Sequence, residues 1–319
     1  MREIGGFMGF EHYSGNEYHE NCLSLNSGRN CLRYLIRARH IKKIALPRFN
    51  CSAVLDVCKE ERVDVVFYTV DLEFKPVIPA NLSSNTFLYV INFYGQIEVS
   101  FLTELVQKYP KVILDFAQSF FVKPMKGVDT LYTCRKFFGV ADGAYLYTNS
   151  TIQKDLMVDK SYERMEFLGG RYERSAREFY LGYQANEEFI ANLEMSYMSR
   201  LTKNILRSIN YEQVNQIRTV NYQLLRSELD RMNLLNVITP HGPYAYPLLV
   251  KNGGELRKRL LDRRIFVPIL WPNVLETENE NSIEYYLAMN ILPLPCDQRY
   301  SAEVMKYMIE EIYYMMEEC

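Results

Sequence analysis

Roughly the first half of this chain is an alternation of short apolar runs and segments with helical spacing, and that pattern constrains its fold more than any other feature. Ile44-Ala45-Leu46 reads as a strand ending at Pro47, and Ser52 to Glu60 as a helix. Val63 to Tyr68 and Phe87 to Ile91 are β-branched and aromatic, as strands are. Phe101 to Tyr109 fits a helix that stops before Pro110, and three short buried strands follow at Val112–Leu114, Thr130–Tyr132 and Ala144–Tyr147. Strands joined by crossover helices imply an α/β fold with a mostly parallel sheet covered on both faces.

The remainder reads differently. From about Ile152 to Asp230 the sequence is helical, charged and rich in tyrosine, and the amphipathic stretch Tyr211–Leu229 suits a connector. Beyond it lie an expected strand Ala245–Val250, a helix Gly254–Asp262, a strand Ile265–Val267 and a terminal helix Ala302–Glu317. The division that results is an irregular arm over 1–20, a large unit over 21–205, and a connecting helix with a smaller α/β unit over 206–319. A length of 319 residues suits about two domains.

Composition removes several function classes. Thirty-seven basic against 39 acidic side chains leave a net charge of −2, which is no footprint for nucleic acid or an anionic membrane. No apolar run is long enough to span a bilayer, and Met1 to Gly6 lacks the apolar core of a signal peptide, so a cytoplasmic protein is expected. Seven scattered cysteines without a C-x-x-C pair, and four dispersed histidines, give no disulfide framework and no metal site.

Three segments carry usable chemistry, each with a plainer reading beside it. In Asn26-Ser27-Gly28-Arg29-Asn30, Gly28 allows close approach, the following helix offers free N–H groups, and Arg29 adds a cation. That is an anion cradle, or simply an N-cap. Asp115 ends an apolar run, where a carboxylate needs a cation or proton donor as partner unless it only caps the next turn. Lys136 is enclosed by Phe137, Phe138 and Val140, and Arg135 beside it disfavours the ammonium, which suits a Schiff-base nucleophile; most lysines are solvated surface charges. Taken together, a phosphate cradle, a strand-end Asp and a desolvated Lys are what pyridoxal 5'-phosphate requires.

Five segments then resemble the DegT/DnrJ/StrS-type sugar-nucleotide aminotransferases: Leu25 to Asn30, Leu46 to Cys51, Asp115-Phe116-Ala117-Gln118, Arg135-Lys136-x-x-Gly139-x-x-Asp142-Gly143, and Leu294-Pro295-x-x-x-Arg299-Tyr300. The resemblance implies the aspartate-aminotransferase-like fold (fold type I), with a large mostly parallel domain and a smaller C-terminal α/β domain. It implies Lys136 as the lysine that bonds the cofactor's aldehyde and Asp115 as the partner of its ring nitrogen. Gln118 falls near the ring's hydroxyl side, and Ser27, Gly28, Arg29 and Thr133 fall where the family binds phosphate. Phe49, or with less support Tyr94, would stack on the ring. The chain departs from the family where Arg29-Asn30-Cys31 replaces Thr-x-Ala, where Leu131 replaces a serine, and at Asp142-Gly143.

The activity so implied moves an amino group from glutamate to a keto-sugar nucleotide, in surface-polysaccharide or amino-sugar biosynthesis, within a homodimer. The alternatives are a catalytically idle or regulatory protein that retains the cofactor-binding fold, and an unrelated nucleotide-binding α/β protein. Against the latter, neither G-x-G-x-x-G after a strand nor a P-loop occurs.

Overall fold

The computed structural model describes residues 4–317. The first three residues of the 1–20 arm, and Cys319 with its neighbour at the other end, lie outside the described residues.

The chain opens its main sheet with β1 (Leu23–Leu25) and turns at once into α1 (Gly28–Ala38), followed by β2 (Lys43–Pro47), α2 (Ser52–Glu60) and β3 (Asp64–Val70). Two residues of β4 (Pro76–Val77) precede β5 (Phe87–Ile91), α3 (Val99–Lys108), β6 (Val112–Asp115), β7 (Asp129–Thr133) and β8 (Ala144–Tyr147). The eight strands lie in the order β1-β8-β7-β6-β5-β2-β3-β4. Five central strands are parallel, while β8 and β4 run against their neighbours. Since β1 and β7 both pair antiparallel with β8, β1 points the same way as the parallel set. Ile44, Ala45, Leu46, Leu88, Val90, Ile113 and Leu114 are all buried, as expected for strands covered on both faces.

The helical stretch comprises α4 (Glu166–Glu173), α5 (Tyr180–Ala191), α6 (Arg200–Leu206) and the long α7 (Tyr211–Leu229). Then come β9 (Ala245–Leu249), α8 (Gly253–Asp262), α9 (Pro272–Thr277), α10 (Ile283–Asn290), β10 (Ile291–Pro295) and α11 (Ala302–Glu317). Burial of Tyr222, Leu225 and Leu229 on α7, with Met305, Met308 and Ile312 on α11, builds the core beside the β9–β10 pair.

The expected strand at Ile265–Val267 is not formed. The chain leaves α8 through Arg264 in the left-handed region (φ 61°), Phe266 stays exposed, and Pro268 follows, so no ladder is available there. The partner of β9 is instead β10, with Pro247 opposite Pro293. Each strand of this pair has only the other as neighbour, so prolines that would disrupt a central strand are tolerated.

Candidate active site

Between β5 and β2 the sheet order reverses: from β2 the chain steps to β3 on one side, then returns to place β5 on the other. Such a reversal opens a crevice at the carboxyl ends of the strands. The strand ends and loops at β1, β2, β5, β6 and β7 all emerge at this edge; the loops after β1, β2, β5 and β7 carry Ser27–Arg29, Cys51, Tyr94 and Lys136, and β6 itself ends at Asp115.

Asp115 is the last residue of β6 and is 7% exposed. Its Oδ2 accepts from the Tyr89 hydroxyl at 2.7 Å and its Oδ1 from the Ala117 N–H at 2.8 Å. Burial pushes the carboxyl's proton affinity up, against the pull of those two donors and of the Lys136 ammonium. Lys136 lies three residues beyond β7. Its side chain is open to water in the recess, yet enough protein surrounds the amine that burial disfavours the ammonium. Asp115 and Cys51 oppose that effect and Arg135 adds to it; the net direction is downward. The amine also sits 5.7 Å from the centre of the Tyr244 ring.

The start of α1 is built by a side-chain cap. Ser27 has extended backbone (φ −157°), and its Oγ accepts from the Asn30 N–H at 3.2 Å. Asn30 in turn donates to Asn26 Oδ1, and Asn26 donates to the Glu194 carbonyl, which ties the cap to the chain after α5. At Gly28 a Cβ would meet nothing within 4 Å, so the first turn faces open space with its N–H groups free of intrahelical acceptors. Arg29 crowds Arg135, whose pKa falls to about 10, chiefly through burial; Arg29 and Arg164 add to the fall, and Tyr183 and Asp142 oppose it. Arg135 is ion-paired to Glu187 of α5. Arg164 donates through Nη2 to Asp159 at 2.7 Å, while its Nε and Nη1 are buried without a partner. Cations held together with unsatisfied donors beside a helix start suit an anion.

The other expected residues are distributed as follows. Gln118 is buried, and its Oε1 accepts from the Tyr94 N–H at 2.7 Å, which holds Tyr94 in a left-handed turn (φ 54°). Phe49 is fully buried, edge-on to Trp271 at 4.4 Å and tilted against Phe93 at 5.3 Å, and it is Cys51, two residues on, that neighbours Lys136. Thr133, half-buried, ends β7 beside the lysine loop. Asp142 accepts from Ser199 N and Oγ at 2.7 and 2.8 Å and from the Thr202 hydroxyl, so it braces Ser199, the residue that caps α6. Across the recess, Tyr244 is influenced by Tyr183 and by Arg299, which makes a two-point pair with Asp297. Sequence reasoning did not single out Tyr89, Cys51, Arg164 or Glu187. Their roles depend on strand register and on α5 folding back, and no local pattern signals either.

The sheet order, the reversal at β5/β2 and the recess at the carboxyl edge define an aspartate-aminotransferase-like fold of type I, and the solved structures that match this chain share it. DesV from S. venezuelae, solved in complex with a ketimine intermediate, superimposes with a TM-score of 0.63 at 16% identity, covering 91% of this chain and 83% of its own. A DegT/DnrJ/EryC1/StrS aminotransferase from Brucella abortus gives 0.61 at 17% identity, covering 93% and 86%. NtdA from Bacillus subtilis, solved with bound cofactor PMP, gives 0.66 at 12% identity, covering 93% and 73%. No protein-family model and no curated protein matches the sequence.

Proposed function

We propose that this protein is a pyridoxal-phosphate-dependent aminotransferase of the sugar-nucleotide class, moving an amino group from glutamate to a keto-sugar nucleotide in surface-polysaccharide or amino-sugar biosynthesis. The observation that carries the reading is the meeting of Lys136 and Asp115 at the sheet's carboxyl edge, close enough for each to shift the other's protonation. The donor set fits the group: an amine tilted toward its neutral form, a buried carboxylate, and a capped helix start beside Arg29, Arg135 and the unpartnered nitrogens of Arg164.

When bound, the cofactor supplies an electron sink for the carbon next to the transferred amine. The protein's own groups divide the remaining work. Ser27, Gly28, Arg29 and Thr133 hold the phosphate end, and the Asp115 carboxylate keeps a proton on the ring nitrogen. Gln118 fixes the loop that borders the ring through its bond to Tyr94. Phe49, fully buried against Trp271 and Phe93, packs behind that loop rather than stacking on the ring as expected. The Lys136 amine, in its unprotonated form, takes the proton from the donor's α-carbon in the first half of the reaction and, in the second, delivers a proton to the carbon that receives the amine. Apart from Trp271, these residues fall within 21–205, read as the cofactor-binding domain. The part from 206 onward contributes Tyr244 and Arg299 to the opposite wall, and a second copy of the chain completes the enzyme as a homodimer.

Borohydride reduction of the cofactor-loaded protein, followed by peptide mass spectrometry, tests the reading. A pyridoxyl mark on Lys136 is expected; a mark on Lys123 or Lys126, with Lys136 clean, overturns it.

A further inference from the structure

The buried pair Tyr89–Asp115 has no place in the reading so far. In the parallel ladder of β5 and β6, Ile91 stands opposite Asp115 and Tyr89 opposite Ile113. Side chains alternate along a strand, so Tyr89, Ile91, Ile113 and Asp115 share one face, with Tyr89 the diagonal neighbour of Asp115. That diagonal is too long for most side chains, but a tyrosine spans it, and its hydroxyl reaches Oδ2 at 2.7 Å. Tyr89 is 1% exposed and is tethered from the far side, where the Tyr68 hydroxyl donates to its carbonyl at 2.7 Å. Bulk water therefore cannot replace the hydroxyl if it is lost.

We propose that Tyr89 is a positioning residue: its hydroxyl holds Asp115 ionised and aimed, so that the carboxylate meets a cofactor ring nitrogen that keeps its proton. This rests on the aminotransferase reading above. The groups facing Asp115 are the Tyr89 hydroxyl from β5, the Ala117 N–H from its own turn, Lys136 from the loop after β7 and Cys31 from α1. Tyr89 itself also faces Cys31 and Cys58 of α2. Burial pushes both thiols up, so they stay neutral and leave the two donors and the lysine to favour the carboxylate. Without the hydroxyl, Asp115 would be the stronger base and would draw the proton off the ring nitrogen.

The test uses cofactor-free protein, so that it remains readable even if Lys136 takes no label and the aminotransferase reading falls. The Asp115 carboxyl is followed by infrared titration, with Asp115→Asn identifying its band. Tyr89→Phe removes one oxygen and should raise the midpoint by about one to two pH units. Site-specific replacement of Tyr89 by 3-fluorotyrosine, a more acidic and stronger donor, should lower it. An unchanged midpoint in both proteins overturns the proposal, as does movement of both in the same direction, which would mean altered packing. In the loaded enzyme, Tyr89→Phe should lower kcat by about tenfold with KM within about twofold. A raised KM at unchanged kcat would also overturn it.

Discussion

At Lys136 the protein around the recess disfavours the ammonium, while Asp115 and Cys51 favour it. Lys136→Ala removes this contest without touching the core, so the variant should fold, hold the cofactor only noncovalently and take no pyridoxyl mark on borohydride treatment, as mass spectrometry would report. Arg135→Ala should leave the mark on Lys136 but raise the pH at which it forms, because a like charge is lost and Glu187 is left unpaired nearby. Asp115 has the opposite sign. Its folded pKa is raised by burial, so cofactor-free protein is unpenalised while the carboxyl is protonated and loses stability as pH rises through that midpoint. Asp115→Asn should therefore melt roughly 2 °C higher than wild type at neutral pH when cofactor-free, a gap that closes near pH 4 in thermal scans. The same variant should slow the half-reaction with glutamate by orders of magnitude, followed by stopped-flow absorbance.

Among the elements, the start of α1 separates stability from binding. Ser27 caps the helix, and Ser27→Ala should lower unfolding stability by about 1 kcal/mol in denaturant titrations. Arg29 stands among like charges, so Arg29→Ala should leave that stability unchanged and instead release the cofactor about tenfold more readily, measured by equilibrium dialysis. Legibility in the sequence followed the same physics. The runs that became β5 and β8 were readable to the residue because apolar and aromatic side chains follow one another without a polar interruption. Asp115 was readable because it breaks such a run. By contrast β10 carries prolines at 293 and 295, which argue against a strand until one knows that it has a single neighbour. Ile265–Val267 had strand composition without any edge to join. The Tyr89–Asp115 bond needed the β5–β6 register, and the place of Cys51 beside Lys136 needed the reversal at β5/β2; neither is encoded locally.

For the whole molecule, the stretch from Met157 to Phe189 leaves large apolar side chains in water: Met157 is 79% exposed, Leu181 77% and Tyr172 92%. The same stretch supplies Glu187 to Arg135 and contains Arg164, so whatever covers it lies next to the site. Coverage by a second copy should give twice the chain mass by light scattering at micromolar concentration, and a stable monomer would contradict the homodimer. The sheet order also bears on how such a site comes into being. Pairing of Leu23 with Leu146 brings together positions separated by almost the whole sheet-forming sequence, and the start of α1 reaches the lysine loop only once that last strand is seated. Topologies dominated by such distant pairings have high contact order and fold slowly, because the entropy of closing long loops is lost before the contacts that offset it form. A ligand whose anchors converge only at the end cannot nucleate folding. It acts late, as a latch on a finished fold, slowing the escape of the native chain rather than hastening its arrival.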